Sequence, residues 1–105
     1  MNIKTDPEVE KFILSLEKQS IAKVLHTIDL LEIFGHTLAM PHAKKVGGKL
    51  FELRVRGQQE VRIFYSFFQN SIWLLHGFIK KSQKIPQREI RRAEIKLDRL
   101  TEHNI

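Results

Sequence analysis

Three stretches decide how this chain folds: Leu50-Phe51-Glu52-Leu53-Arg54-Val55, Val61-Arg62-Ile63-Phe64-Tyr65-Ser66-Phe67-Phe68 and Ile72-Trp73-Leu74-Leu75-His76-Gly77-Phe78-Ile79. In the first, Phe51, Leu53 and Val55 alternate with Glu52, Arg54 and Arg56, the period of two that marks a strand with one buried face. The second is apolar on both faces apart from its start, the pattern of a central strand. The third is mostly apolar and runs into Lys80, Lys81 and Lys84 before Pro86. The connections Gly57-Gln58-Gln59 and Gln69-Asn70-Ser71 are short enough for hairpins, so the three strands form an antiparallel meander. Upstream, Pro41, Gly47 and Gly48 interrupt any long element, His42 to Val46 offers a short edge strand, and Gly48 falls in the turn before the main sheet.

Working outward, Asp6-Pro7-Glu8 is a helix start: Asp6 caps free amides, Pro7 suits the first helical position and Glu8 favours the positive end of the dipole. Val9, Phe12, Ile13 and Leu16 draw one apolar stripe, which predicts a helix ending near Lys18. With Ser20 as cap, Ile21, Val24, Leu25, Ile28 and Leu31 predict a second helix that stops at Gly35. At the other end Pro86, Ile90, Ala93, Leu97 and Leu100 step by four and three, placing a C-terminal helix on the sheet with Arg88, Arg91, Arg92, Lys96 and Arg99 on its other faces. The expectation is one α+β domain over residues 1–105. An N-terminal helical hairpin packs on a three- to four-stranded antiparallel sheet that is followed by a C-terminal helix.

Size and composition bound the function. A chain of 105 residues builds one hydrophobic core and not two. Eighteen Lys and Arg against twelve Asp and Glu give a net charge of +6, which favours nucleic acid, an anionic membrane surface or an acidic protein as partner. The absence of cysteine excludes disulfides, thiolate nucleophiles and Cys-based zinc sites, and fits a reducing compartment. No apolar run approaches the length of a membrane span, and Met1-Asn2-Ile3-Lys4 leads into a charged helix rather than a signal peptide, so a cytoplasmic protein is expected. His26, His36, His42 and His103 show no ligand spacing with carboxylates, so neither metal nor cofactor is expected. A sheet that brings several cations to one edge suits a polyanion.

Together, Leu50 to Val55, Val61-Arg62-Ile63-Phe64-Tyr65, Leu74 to Lys81 with Lys84 and Pro86, and Glu89-Ile90 with Ala93 resemble the RelE/HigB/ParE toxin superfamily of type II toxin-antitoxin systems, and within it the phage-derived HigB-like branch. The resemblance runs from about Ala39 to Leu100 and implies a RelE-like fold. It also implies a ribosome-dependent mRNA endonuclease that works without metal: the ribose 2′-OH attacks the adjacent phosphate, leaving a 2′,3′-cyclic phosphate and a 5′-OH. That chemistry needs a base, cations for the phosphorane and an acid for the leaving oxygen. The implied partners are mRNA on the ribosome and a small helix-turn-helix antitoxin encoded nearby. A gyrase-poisoning toxin of the ParE kind and a non-catalytic basic RNA-binding module are the competing readings.

Position by position, the resemblance assigns Arg54 and Arg62 to the scissile phosphate and its transition state, and Lys81, with Lys80 beside it, to the basic position after the last strand. Lys84 and His76 are the candidates for proton transfer. Arg56, Lys80, Arg88, Arg91 and Arg92 are the candidates for RNA or ribosome contact through sequence-independent phosphate contacts. Two departures stand out: Glu52 occupies a position where some cutters carry a second lysine, and no tyrosine follows Lys81. Each candidate has a plainer alternative. Arg54 and Arg56 suit a solvated sheet face, Arg62 a structural pair with Glu52, and His76 a core histidine bonded to backbone.

Overall fold

The stretch that is apolar on both sides takes the middle of the sheet. In the computed structural model, which describes residues 1–102, the elements run β1 (Asn2–Thr5), α1 (Pro7–Leu14), α2 (Lys18–Phe34), a 3-10 turn (Gly35–Thr37), β2 (Ala43–Gly47), β3 (Leu50–Val55), β4 (Val61–Phe68), β5 (Ser71–Ile79) and α3 (Gln87–Glu102). The strand order is β1-β5-β4-β3-β2, with β4 at the centre. On one face Leu53, Val55, Val61, Ile63, Tyr65, Ile72 and Leu74 pack against Val9, Ile13, Leu16, Val24 and Leu31 from the helical hairpin. On the other, Leu50, Phe64, Leu75 and Phe78 pack against Ala93, with Ile90 and Leu97 beside it. Each of these fully buried large side chains contributes roughly 1.5–3 kcal/mol over exposure, which is why the sheet carries a helical layer on both sides.

Two features hold the meander in register. Gln69 and Asn70 both adopt positive φ (50° and 61°), as a two-residue type I′ hairpin requires, and Phe68 pairs with Ser71 across them. The β4–β5 ladder slips between Phe64 and Tyr65: His76 pairs with Phe64 and Leu74 with Tyr65, leaving Leu75 as the extra residue of a bulge. Leu75 accordingly joins the α3 core and His76 also turns toward α3.

The sheet departs from expectation in being five-stranded and mixed rather than three- to four-stranded and antiparallel. Asn2–Thr5 adds a strand parallel to β5, in register from Asn2 with Ser71 to Thr5 with Leu74. Four residues with Ile3 as their apolar anchor carry too little periodicity to announce a strand. The partner lies far along the chain, so the pairing is a tertiary event. The helix boundaries also move. The first helix ends at Leu14, and the second begins at Lys18 instead of after Ser20; at its start the Gln59 side chain, from the β3–β4 loop, accepts a hydrogen bond from the Glu17 amide (3.0 Å). Ser20 lies inside the helix and is buried. Gly35 stops α2 as predicted, with φ of 51°. His42 to Val46 does supply the edge strand, shifted by one residue.

Candidate cationic site

β3 and β4 pair with Arg54 directly opposite Arg62. Like charges facing across a ladder destabilise it, so each guanidinium needs an anion nearby. Two carboxylates supply it. Glu52 Oε1 lies 3.4 Å from Arg54 Nε. Glu60 Oε1 lies 3.2 Å from Arg62 Nη2 and 3.6 Å from Arg56 Nε, while its Oε2 accepts from the Gly57 amide at 3.1 Å. Burial of Glu60 acts to raise its pKa, but the Gly57 hydrogen bond, the hydrogen bond and charge of Arg62 and the charge of Arg56 prevail, so the carboxyl is held below its usual range.

Arg62 is almost fully enclosed, with a side chain 3% exposed, and its Nη1 donates to the Val61 carbonyl at 2.9 Å. Arg54 Nη1 donates to Met40 Sδ at 3.1 Å. The Glu52–Arg54 contact is an ion pair without hydrogen-bond geometry. Glu52 Oε2, Arg54 Nε and Arg62 Nε are buried and make no hydrogen bond within the described protein. Polar atoms in that condition are costly and concentrate where a site awaits a ligand or serves chemistry.

Arg54, Arg56, Glu60, Arg62, Lys80, Lys81, Ser82 and Gln83 line one cavity of about 450 Å³. Its walls come from the end of β3, the start of β4 and the segment after β5, which is pinned where the Lys80 amide donates to the Glu60 carbonyl at 2.7 Å. The fold thus brings together Arg54, Arg56, Arg62, Lys80 and Lys81. It does not bring in the others. His76 Nε2 lies 3.0 Å from Glu89 Oε1 on α3, in a separate cavity lined by Glu8, Arg92, Lys96 and Arg99. Arg92 Nη1 reaches the same Glu89 oxygen at 3.3 Å. Lys84 is exposed, two residues past Ser82, whose hydroxyl donates to the Lys84 carbonyl. Arg88 and Arg91 are exposed on α3, and Arg91 faces the β2–β3 turn.

The structural pair foreseen between Glu52 and Arg62 does not form: Glu52 goes to Arg54 and Arg62 goes to Glu60. The residue that sequence reasoning missed is Glu60, which precedes β4 and meets Arg56 and Arg62 only through the turn of the β3–β4 loop. Among the described residues, no three His, Asp or Glu gather as metal ligands. No helix among them is long and apolar enough to cross a membrane. His103 lies outside the described residues.

Comparison with known proteins agrees with the fold. Residues 11–98 match the family described as phage-derived protein Gp49-like (DUF891). A candidate toxin of Mycobacterium tuberculosis, HigB3, is 38% identical over 77 residues, spanning 68% of this chain and 67% of that protein. A chain in the heterotetrameric YoeB–YefM toxin–antitoxin complex of Staphylococcus aureus superposes with a TM-score of 0.53 at 18% identity, covering 70% of this chain and 90% of that one, a likeness of fold alone. The chain belongs to the phage-derived Gp49-like family and is a toxin-antitoxin toxin of the RelE/HigB type.

Proposed function

We propose that this toxin is a ribosome-dependent endoribonuclease that cuts mRNA by metal-free 2′-OH attack, and that its cationic cavity receives the scissile phosphate. The observation that carries the reading is the opposed pair Arg54 and Arg62 lining one cavity with Lys80 and Lys81. In the reaction the 2′ oxygen bonds to phosphorus as its proton leaves to a base, and the bond from phosphorus to the 5′ oxygen breaks as that oxygen gains a proton. Arg54, Arg62 and Lys81 offset the charge on the phosphorane, where fixed cations in a partly desolvated site act most strongly. Neither proton-transfer candidate lines the cavity: Lys84 follows the lining residues Ser82 and Gln83 along the chain, and His76 is engaged by Glu89. Arg56 and the α3 arginines Arg88, Arg91 and Arg92 track ribosomal or messenger phosphates without reading sequence. The partner that restrains the toxin is an antitoxin, as in the YoeB–YefM pair.

The test is purified protein added to translating ribosomes, with mRNA 5′ ends mapped. New ends bearing a 5′-OH, lost in Arg54→Lys and Lys81→Gln proteins that keep their thermal midpoint, are the expected result. No new ends, or full cutting by Lys81→Gln together with Arg54→Lys, overturns the reading. Trapped gyrase cleavage complexes with intact mRNA would replace it by the gyrase-poisoning one.

A further inference from the structure

We infer that Glu60 is a resident counter-ion that holds the seat of the substrate phosphate, so that the cavity admits only an anion able to displace it. The inference rests on the reading of the cavity as a phosphate site and concerns what controls entry. Glu60 bridges Arg56 and Arg62 through one oxygen and takes the Gly57 amide with the other, the donor set that a phosphodiester would engage in its place. The two carboxylates of the site differ in their freedom. The Glu52 side chain is 5% exposed and immobilised beside Arg54, whereas that of Glu60 is 34% exposed and has water to swing into.

The backbone beneath Glu60 stays where it is. Its carbonyl accepts from the Lys80 amide, and the adjacent Gln59 side chain accepts from the Glu17 amide. Exchange is therefore a side-chain event that leaves the loop and the arginines in position. Held in its charged form, Glu60 repels any second anion while it is seated. Its departure frees two guanidiniums and an amide at once. A loosely held phosphate, as on stray RNA, offsets that loss only in part and so binds weakly, whereas one positioned by further contacts offsets it fully. Glu60 is thus a determinant of selectivity against unpositioned RNA.

The experiment measures binding of a labelled, uncleavable 2′-O-methyl oligouridylate by fluorescence anisotropy, with the Gly57 amide followed by NMR. Glu60→Gln keeps the shape and removes the charge. It should bind about 3- to 10-fold tighter than wild type, the range expected for freeing two guanidiniums from a carboxylate that is itself one-third exposed. Glu10→Gln, on the exposed surface of α1, removes the same charge elsewhere and should change affinity by less than about 2-fold. In wild type the Gly57 resonance should move on saturation. Equal gains from both substitutions, a Gly57 resonance that stays put, or no binding by the Glu60→Gln protein overturns the inference. Lys81→Gln reads the underlying assignment separately. If it weakens binding while Glu60→Gln does nothing, the cavity takes phosphate and Glu60 does not control it. If it leaves binding intact, the phosphate-site reading falls as well.

Discussion

Gly77 sits in β5 where the Phe12 ring of α1 closes on the strand. A Cβ at Gly77 would stand 2.5 Å from Phe12 Cδ2 and 2.8 Å from Cε2. Carbon atoms prefer separations of roughly 3.5–4.0 Å, so Gly77→Ala forces the ring back by about 1 Å in a packed layer. Overpacking of that kind costs about 1–3 kcal/mol. Alanine would otherwise help by up to about 1 kcal/mol through the unfolded chain, so the measured loss is net of that gain. In a domain of this size the loss lowers the thermal midpoint by about 5–15 °C. Urea unfolding followed by the fluorescence of Trp73, the one tryptophan, measures it. Because the opposing atoms belong to one side chain, Phe12→Ala should remove the penalty. Gly77→Ala should then cost less than about 0.5 kcal/mol, and the two changes should couple by at least about 1 kcal/mol. A coupling near zero would refute the reasoning, since the glycine would then be required by something other than the ring.

Asp6 Oδ1 accepts from the Glu8 amide and from Lys96 Nζ, both at 2.9 Å, so Asp6→Ala removes a cap and a tie between α1 and α3 together. It should lower stability by about 1–2 kcal/mol, and Lys96→Met by less than about 1 kcal/mol, in the same urea titration. Burial pushes the Tyr65 phenol up to about 12. Its folded pKa exceeds the unfolded value near 10, so its contribution is complete below pH ~10 and is lost as pH rises toward 12. Stability should fall over that window by roughly 2–3 kcal/mol, and Tyr65→Phe should flatten the loss. Lys81→Gln, on the exposed rim of the cavity, should leave stability within about 0.5 kcal/mol and reduce the salt dependence of RNA binding by about one phosphate contact. An unchanged salt slope would remove Lys81 from the interface.

The arginines and lysines of the cavity were visible along the chain, but their partners were not. Arg54 and Arg62 announce themselves as charges on strands, and the tight β4–β5 hairpin fixes the meander that brings the end of β5 beside them. Glu60 was legible only after a register was assumed. Its pairing with two arginines depends on how the β3–β4 loop turns. His76 is an apolar-strand histidine whose direction was open until the bulge at Leu75 aimed it at Glu89, and a ladder slip of one residue leaves no local signal.

The amino-acid pattern by itself determined the meander, the double-faced central strand, the stop at Gly35 and the C-terminal helix. Those depend on periods of two and 3.6 and on turn chemistry written within a few residues. Only the tertiary structure decided that Asn2–Thr5 joins β5 as a parallel strand, that Gln59 bonds the Glu17 amide where α2 begins, and which carboxylate answers each arginine. Each of these is a contact between segments distant along the chain or across a turn. Its energy exists only once the core has brought both sides together.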